Sequence, residues 1–470
     1  MHVLWGIGGM CGLLLIAFAL SSNRKAIRLR TVGPALALQV GFGALVLFVP
    51  WGRDALSWVS NGFQAIIDSA KAGIAFLFGP LIPEEGLIFA LQVLPVIVFF
   101  AALTAVLYHL GFLQKFVQFF GGGLQRLLGT GKAESTNAAA NVFLGQTEAP
   151  LIIRPYITRL SQSGLFAVMV GGLSTVAGSV LVGYSLLGAK LDYLIAAAFM
   201  AAPGALLMAK IIMPEDPEVV AAQQAGVDEL TSRSGRPEGR SAVASHGMSA
   251  PVGQGYESHG RGEGDDHGKD SPLPDDTAES PALTDASDDD EVLGEVRHRN
   301  VIDAAASGAA DGAKLAINIG AMLLAFISLI ALLNLIIGGI GGWFGQPDIT
   351  FEQILGYVFS PVMVMIGVPL NEAVEAGSYI GQKIVVNEFV AFSNFGPEAA
   401  SFSARTQAII TFGLTGFANL GSLGILLGGL GGLAPKRRGD IASLGMKAIA
   451  AATLANLMSA AIAGIMLGAG

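Results

Sequence analysis

The sequence predicts an all-α polytopic membrane protein: about eight transmembrane helices plus two re-entrant hairpins in an inverted repeat, with interfacial helices beside them. Three observations predict it. Of 470 residues, 52% are hydrophobic and 13% charged, whereas a soluble domain carries about a quarter of its residues as charges. The apolar residues fall in runs that approach the roughly 20 residues a bilayer crossing needs. Two further segments are polar, carry Glu and amides, and are broken by Gly or Pro at corresponding places in the two halves. Such paired broken segments mark an inverted-repeat carrier with its site near the midplane. The 63 glycines suit helices that approach closely in lipid, and the lone Cys11 can form no internal disulfide.

Val3 to Leu20 is the first crossing. A signal peptide would carry its positive charge ahead of the apolar core, whereas Arg24, Lys25, Arg28 and Arg30 follow it. The positive-inside rule puts those four charges in the cytoplasm and the N-terminus outside. Thr31 to Trp51 is the second crossing. Between Gly52 and Glu85, Trp58, Phe63, Ile66 and Ile67 alternate with Asp54, Asn61, Asp68 and Lys71, the pattern of a helix lying at the outer interface. Gly86 to Leu110 is the third crossing, and Leu113 to Leu128 an interfacial segment on the cytoplasmic side. The first hairpin runs from Glu134 to Leu160, bracketed by Lys132 and by Arg154 and Arg159. Gly164 to Gly188 is a fourth crossing interrupted at Ser174, Thr175, Gly178 and Ser179, and Leu191 to Met213 is the fifth.

Pro214 to Asn300 holds 20 acidic and 7 basic residues, so the acidity of the chain, net −9, resides there. Its Pro, Gly, Ser, Asp and Glu with almost no aromatics cannot bury enough apolar surface to fold alone, and it reads as a disordered cytoplasmic insert. His246, His259, His267 and His298 are irregularly spaced within it, and with the Asp288–Asp290 run they read as solvated linker. No basic patch with interleaved aromatics is present, which argues against a nucleic-acid partner.

Ala313 to Ile340 is the sixth crossing, followed by an outer interfacial stretch to about Pro361. The second half then repeats the first in outline. A broken polar segment, Val368 to Asn394, carries Glu372, Glu375 and Glu388, and a Gly-interrupted crossing spans Thr406 to Leu433. Lys436-Arg437-Arg438 turns the chain in the cytoplasm and Ile441 to Leu467 is the last crossing. The resulting domain scheme is 1–110, N-terminal spans and outer interfacial helix; 111–213, first hairpin repeat; 214–300, insert; 301–361, sixth span and interfacial segment; 362–470, second hairpin repeat and last spans.

The chemistry concentrates between Asn141 and Pro155. Gly145 and Pro150 break the backbone there, and unpaired amides and carbonyls at membrane depth are tolerated only when buried in protein or lining a wet cavity. The stretch also carries Asn141, Gln146 and Glu148. A carboxylate at membrane depth is costly, about 2.5 to 3.5 kcal/mol at a helix centre on insertion scales, so Glu148 and Glu388 each need a specific partner. That partner is a bound ligand, a cation such as Arg154 or Lys383, or a proton. For Asn141 and Thr175, capping or packing competes with ion binding.

The run Gly145-Gln-Thr-Glu-Ala-Pro-Leu-Ile-Ile-Arg-Pro-Tyr156 resembles the signature of the concentrative nucleoside transporters. Asn387-Glu-Phe-Val-Ala-Phe392 and Gly416-Phe-Ala-Asn-Leu-Gly-Ser-Leu-Gly424 resemble that family as well, in its order. The resemblance covers most of the membrane part and excludes the insert. It implies a nucleobase held by Gln146, Thr147 and Glu148 with Val180 against it, and a ribose held by Glu388, Asn419 and Ser422 with Phe417 lining the pocket. It further implies a sodium ion on the Asn141 side chain, the Thr175 hydroxyl and the carbonyls of Leu144 and Val176. Proton-coupled relatives lack the asparagine and read Gln-Ser-Glu where this chain has Gln146-Thr147-Glu148; Thr175 stands where some members have serine.

These readings together give a sodium-coupled nucleoside symporter of the cell inner membrane, multi-pass in the bilayer and a homotrimer by the resemblance, importing uridine and cytidine, with adenosine a further candidate, by alternating access. The alternatives are a proton-coupled nucleoside carrier and a carrier of another polar solute on the same architecture. An intramembrane enzyme has only the two carboxylates in its favour: there is no HExxH motif and no serine–histidine arrangement.

Overall fold

The computed structural model describes residues 2–83, 86, 88–215 and 299–468. Apart from its edges at 214–215 and 299–300, the acidic insert with its histidines and aspartate run lies outside the described residues. Every regular element among the described residues is a helix. In chain order they are α1 His2–Ala19, α2 Leu29–Leu47, α3 Pro50–Phe78, α4 Leu94–His109 entered through a π-helical turn at Phe89–Val93, α5 Phe112–Leu128, α6 Lys132–Ala140, α7 Ala149–Ile152, α8 Arg154–Ile157, α9 Gln162–Ser174, α10 Gly178–Leu186, α11 Leu191–Ile212, α12 Val301–Trp343, α13 Phe351–Met365, α14 Leu370–Val385, α15 Glu388–Glu398, α16 Ala404–Leu414, α17 Leu420–Leu433 and α18 Arg438–Gly468.

Six of the eight expected crossings are helices long and apolar enough to span a bilayer: 29–47, 89–109, 162–186, 191–212, 301–343 and 435–468. The other two are α1, whose apolar part is 3–19, and the pair α16/α17, which the break after Leu414 divides into two shorter helices. The sixth crossing, 313–340, lies within a longer helix of 43 residues, which Asn300 caps by accepting from the Asp303 amide at 2.9 Å. The stretch to Pro361 contains the 15-residue apolar helix α13, bent by 117° into α14. The bend falls at Gly367, φ +106°, a conformation glycine adopts without penalty.

The core is set by which helices are apolar all round. In α11 and in the 162–186 segment 94% of the best spanning window is buried, against 11% in α12; a helix hydrophobic on every side belongs in the interior, and α12 lies at the periphery with Leu324, Leu332 and Leu335 exposed. It is fastened to α4 by small residues. A Cβ on Gly308 would lie 2.6 Å from Ala105 Cβ, and one on Gly312 2.6 Å from Ala101 Cβ, the small-xxx-small contact of membrane helices.

Four helix breaks matter for the site, and each has a local cause. In the first hairpin, α6 ends at Ala140 and the chain runs irregularly to Glu148. The return arm is two single-turn helices, α7 and α8, each started by a proline, Pro150 and Pro155, whose missing N–H costs nothing at a first turn. In the second hairpin, Val386 and Asn387 separate α14 from α15, and Asn387 caps α15 by accepting from the Val390 amide at 2.9 Å. Thr175–Ala177 separates α9 from α10. Thr415–Asn419 separates α16 from α17, with Gly416 at φ +153°.

Candidate functional site

The breaks converge. Gly178 N donates to the Phe143 carbonyl at 3.0 Å, tying the α9/α10 break to the first hairpin, and Phe417 N donates to the Thr175 carbonyl at 3.2 Å, tying the two broken helices to each other. The hairpin sits close because α9 offers glycines: a Cβ on Gly172 would lie 3.0 Å from Gln146 Cβ, and one on Gly171 3.3 Å from Asn137 Nδ2 and 3.4 Å from Asn141 Nδ2. The tip also reaches α17, where a Cβ on Gly429 would lie 2.8 Å from Thr147 Cγ2.

The second-repeat residues form one hydrogen-bonded group. Glu388, the first residue of α15, is 3% exposed. Its Oε2 accepts from Asn419 Nδ2 at 2.8 Å and its Oε1 from the Tyr184 hydroxyl at 3.0 Å. Asn419 is at the same time the cap of α17, accepting from the Ser422 amide at 2.8 Å through Oδ1, so its amide orientation is fixed from both ends. Ser422 is buried just behind it and Phe417 is half-buried at the break. With about four lone-pair positions on a carboxylate and donors from Tyr184, Asn419 and its own backbone amide in place, Glu388 retains acceptor capacity for a further donor.

The first-repeat residues are arranged differently. Glu148 is exposed, and its Oε2 accepts from the Gly145 amide at 2.8 Å, which folds the carboxylate over the hairpin tip. Gln146 is buried with its Oε1 unpartnered, and Thr147 is half-buried. Val180 is buried on α10 one turn before Tyr184, and residues four apart share a helix face; this face joins the two groups. Among the described residues no ion pair within 4.0 Å involves Glu148 or Glu388; Lys383 acts on Glu388 as a cation at longer range.

Of the four residues expected around an ion, Asn141 and Thr175 both meet Gly171 of α9: a Cβ there would lie 3.4 Å from Asn141 Nδ2, and its carbonyl accepts from the Thr175 hydroxyl. Asn141 is fully buried, its Nδ2 donates to the Asn137 carbonyl at 2.9 Å, and its Oδ1 has no donor. Thr175 is buried and donates to the Gly171 carbonyl at 2.8 Å, which leaves the lone pairs of its hydroxyl oxygen free. The carbonyls of Leu144 and Val176, both at chain breaks, accept no hydrogen bond among the described residues. Buried oxygens without donors are rare in folded proteins, and a group of neutral oxygens suits a hard monovalent cation.

Three residues that sequence reasoning did not single out for these roles prove central. Tyr184 completes Glu388, and its ring stacks on Phe392 with centroids 4.4 Å apart. Asn456, on α18, bridges both broken helices, donating to the Ser174 carbonyl at 2.7 Å and the Thr415 carbonyl at 2.8 Å. Lys210, on α11, pairs with Glu134 of α6 at 2.7 Å and with Glu215 at 3.3 Å, anchoring the entry arm of the first hairpin. A polar or charged residue inside an apolar run is a signal in itself; Asn456 and Lys210 both carry it, whereas Tyr184 carries none.

The chain is similar to known proteins over most of its length. The family described as "Na+ dependent nucleoside transporter N-terminus" matches residues 8–81, "Nucleoside recognition" matches 90–191, and "Na+ dependent nucleoside transporter C-terminus" matches 272–464. A nucleoside permease of Helicobacter pylori is 40% identical over 477 residues, covering 99% of this chain and 98% of its own. The sodium/nucleoside cotransporter 2 of Rattus norvegicus is 32% identical over 97% of this chain and 62% of that longer protein. The structure of CNTnw in an inward-facing substrate-bound state is 48% identical, with a TM-score of 0.81 and coverage of 100% of this chain and 99% of that one. The fold and the relatives are those of transporters, not enzymes, and the chain belongs to the concentrative nucleoside transporter family.

Proposed function

We propose that this nucleoside transporter is a sodium-coupled symporter of the cell inner membrane, with the N-terminus outside and the insert cytoplasmic, working as a homotrimer in which each protomer carries its own site. The observation that carries the reading is Glu388, a buried carboxylate held by Tyr184 and Asn419 with an acceptor position to spare. Ribose hydroxyls are the donors that fit it, and charge-assisted hydrogen bonds are about twice as strong as neutral ones. A nucleobase edge offers mixed donors and acceptors, which suits Gln146, Thr147 and Glu148 at the hairpin tip with Val180 beside the base; Phe417 and Ser422 complete the sugar side. Uridine and cytidine, and adenosine among the purines, are the substrates to test first.

Sodium is read as the co-transported ion from Asn141 Oδ1, the Thr175 hydroxyl oxygen and the carbonyls of Leu144 and Val176. Binding there would order the hairpin that carries Gln146, so ion and nucleoside would raise each other's affinity by one common factor. At about 2.3 kcal/mol per charge per 100 mV, one inward sodium would support roughly a 50-fold nucleoside gradient.

The test is uptake by proteoliposomes of a nucleoside panel in sodium, in choline, and in choline with an inward proton gradient. Uptake that needs sodium is expected. Asn141→Ala should then raise the sodium concentration for half-maximal uptake far more than it lowers the saturated rate, and Glu148→Gln should chiefly weaken the nucleoside. Native uptake that ignores sodium and follows the proton gradient would overturn the coupling and leave the nucleoside reading standing.

A further inference from the structure

Away from the ligand-facing side chains, one fully buried cation sits where the two broken helices cross. Lys383, on α14, is 0% exposed. Its Nζ donates to the Gly413 carbonyl at 2.8 Å and to Asn456 Oδ1 at 2.7 Å, while Asn456 Nδ2 holds the Ser174 and Thr415 carbonyls. Ser174 is the last residue of α9, and Gly413 and Thr415 flank the end of α16. The C-terminal ends of two half-helices therefore converge on one ammonium and one amide. Each such end carries about −0.5 of an elementary charge, so the two together come to about −1 around one ammonium, which the Glu388 carboxylate also attracts at longer range. Gly416 permits the convergence: a Cβ there would lie 2.8 Å from both Asn456 Nδ2 and the Ser174 carbonyl.

The two repeats differ at this place. Thr175 and Thr415 follow their hairpin glutamates, Glu148 and Glu388, at the same spacing, and each hydroxyl donates back to the carbonyl four residues earlier, at 2.8 and 2.7 Å. Beside the end of α9 stands Asn141 with its unpartnered Oδ1; beside the end of α16 stands Lys383. The first repeat presents oxygens without a cation, and the second carries its cation covalently.

We infer that Lys383 is a positioning residue for transport: a fixed positive charge that clamps the end of α16 to α9 and α18, holds Phe417 and Asn419 in place, and does in the second repeat what a bound cation does in the first. The comparison with the first repeat rests on the sodium reading above; the clamp itself does not. Because only one repeat lacks a built-in cation, sodium activation of the native protein should follow a Hill slope of about one.

The test uses uridine uptake by the full-length protein in proteoliposomes. Lys383→Met, which keeps the apolar stem and removes the ammonium with its donors, should elute as the native oligomer and take up uridine at least about tenfold more slowly. Lys383→Ala should lose uptake and regain part of it in n-propylammonium, which replaces the deleted atoms, and none in tetramethylammonium, which has no N–H to donate. Native uptake by Lys383→Met would overturn the inference, as would an assembled Lys383→Ala that propylammonium leaves inactive. Should Lys383→Met fail to assemble, Lys383→Arg decides: a lowered rate with native sodium half-saturation supports the fixed charge, and equal failure to assemble overturns it. A native Hill slope near two would overturn the counterpart claim alone, and sodium-independent native uptake would sink the sodium reading while the ammonium rescue still judges Lys383.

Discussion

Tyr184→Phe isolates the hydroxyl that completes Glu388. The ring is fully buried, stacked on Phe392 at 4.4 Å and edge-on to Phe389 at 4.8 Å, and phenylalanine keeps both contacts, so packing is preserved. What is lost is one hydrogen bond to a carboxylate, at 3.0 Å. Bonds to charged groups contribute about 1.5 to 3 kcal/mol; because Asn419 still holds Oε2, the lower end applies, or roughly a tenfold rise in the nucleoside concentration for half-maximal uptake. The released Oε1 turns more freely toward any donor, so a native preference for ribonucleosides over 2′- or 3′-deoxy analogues should narrow in the variant. Glu388→Gln removes the charge itself and should be far worse, and the double variant should cost less than the sum of the two, since the residues share one bond. The assay is initial-rate uptake across nucleoside concentrations at saturating sodium, with ribo- and deoxynucleosides in parallel. A Tyr184→Phe half-saturation within twofold of native, or additive single and double variants, would refute the assignment of Glu388 to the sugar.

Gly416→Ala should nearly abolish uptake, because φ +153° is costly for a side chain, about 1 to 3 kcal/mol, and the new Cβ would meet Asn456 and the Ser174 carbonyl; normal kinetics and thermal midpoint would contradict the packed crossing. Gly312→Leu should separate α12 from α4 and lower the thermal midpoint in detergent, whereas Gly339→Leu, where a Cβ meets nothing within 4 Å, should leave it unchanged. Deleting Val219 to Asp290 should leave uptake close to native, because a long polar loop costs little to close; loss of uptake in a shortened protein that reaches the membrane would make the insert a working part.

The sequence by itself determined the membrane class, the eight crossings and the two broken hairpins, since apolar runs and helix breakers act locally and leave their mark in composition. It also located the glutamates and amides, because a polar group at membrane depth is conspicuous in an apolar run. It left helix ends open where a cap or a bend decides them, as in α12 and α13, because one Asn300 side chain or one glycine conformation outweighs average hydropathy. Only the tertiary structure decided who meets whom. Nothing local says that Tyr184 reaches Glu388, 204 positions away, or that Asn456 binds Ser174, 282 positions away. Lys383 shows the difference most clearly: the sequence offered it as a cation for Glu388, and the fold adds the hydrogen bonds to the Gly413 carbonyl and Asn456 that no local pattern announces. The carbonyl ends of broken helices become electrostatic partners only after distant segments cross, and that crossing is a long-range fact no window of residues contains.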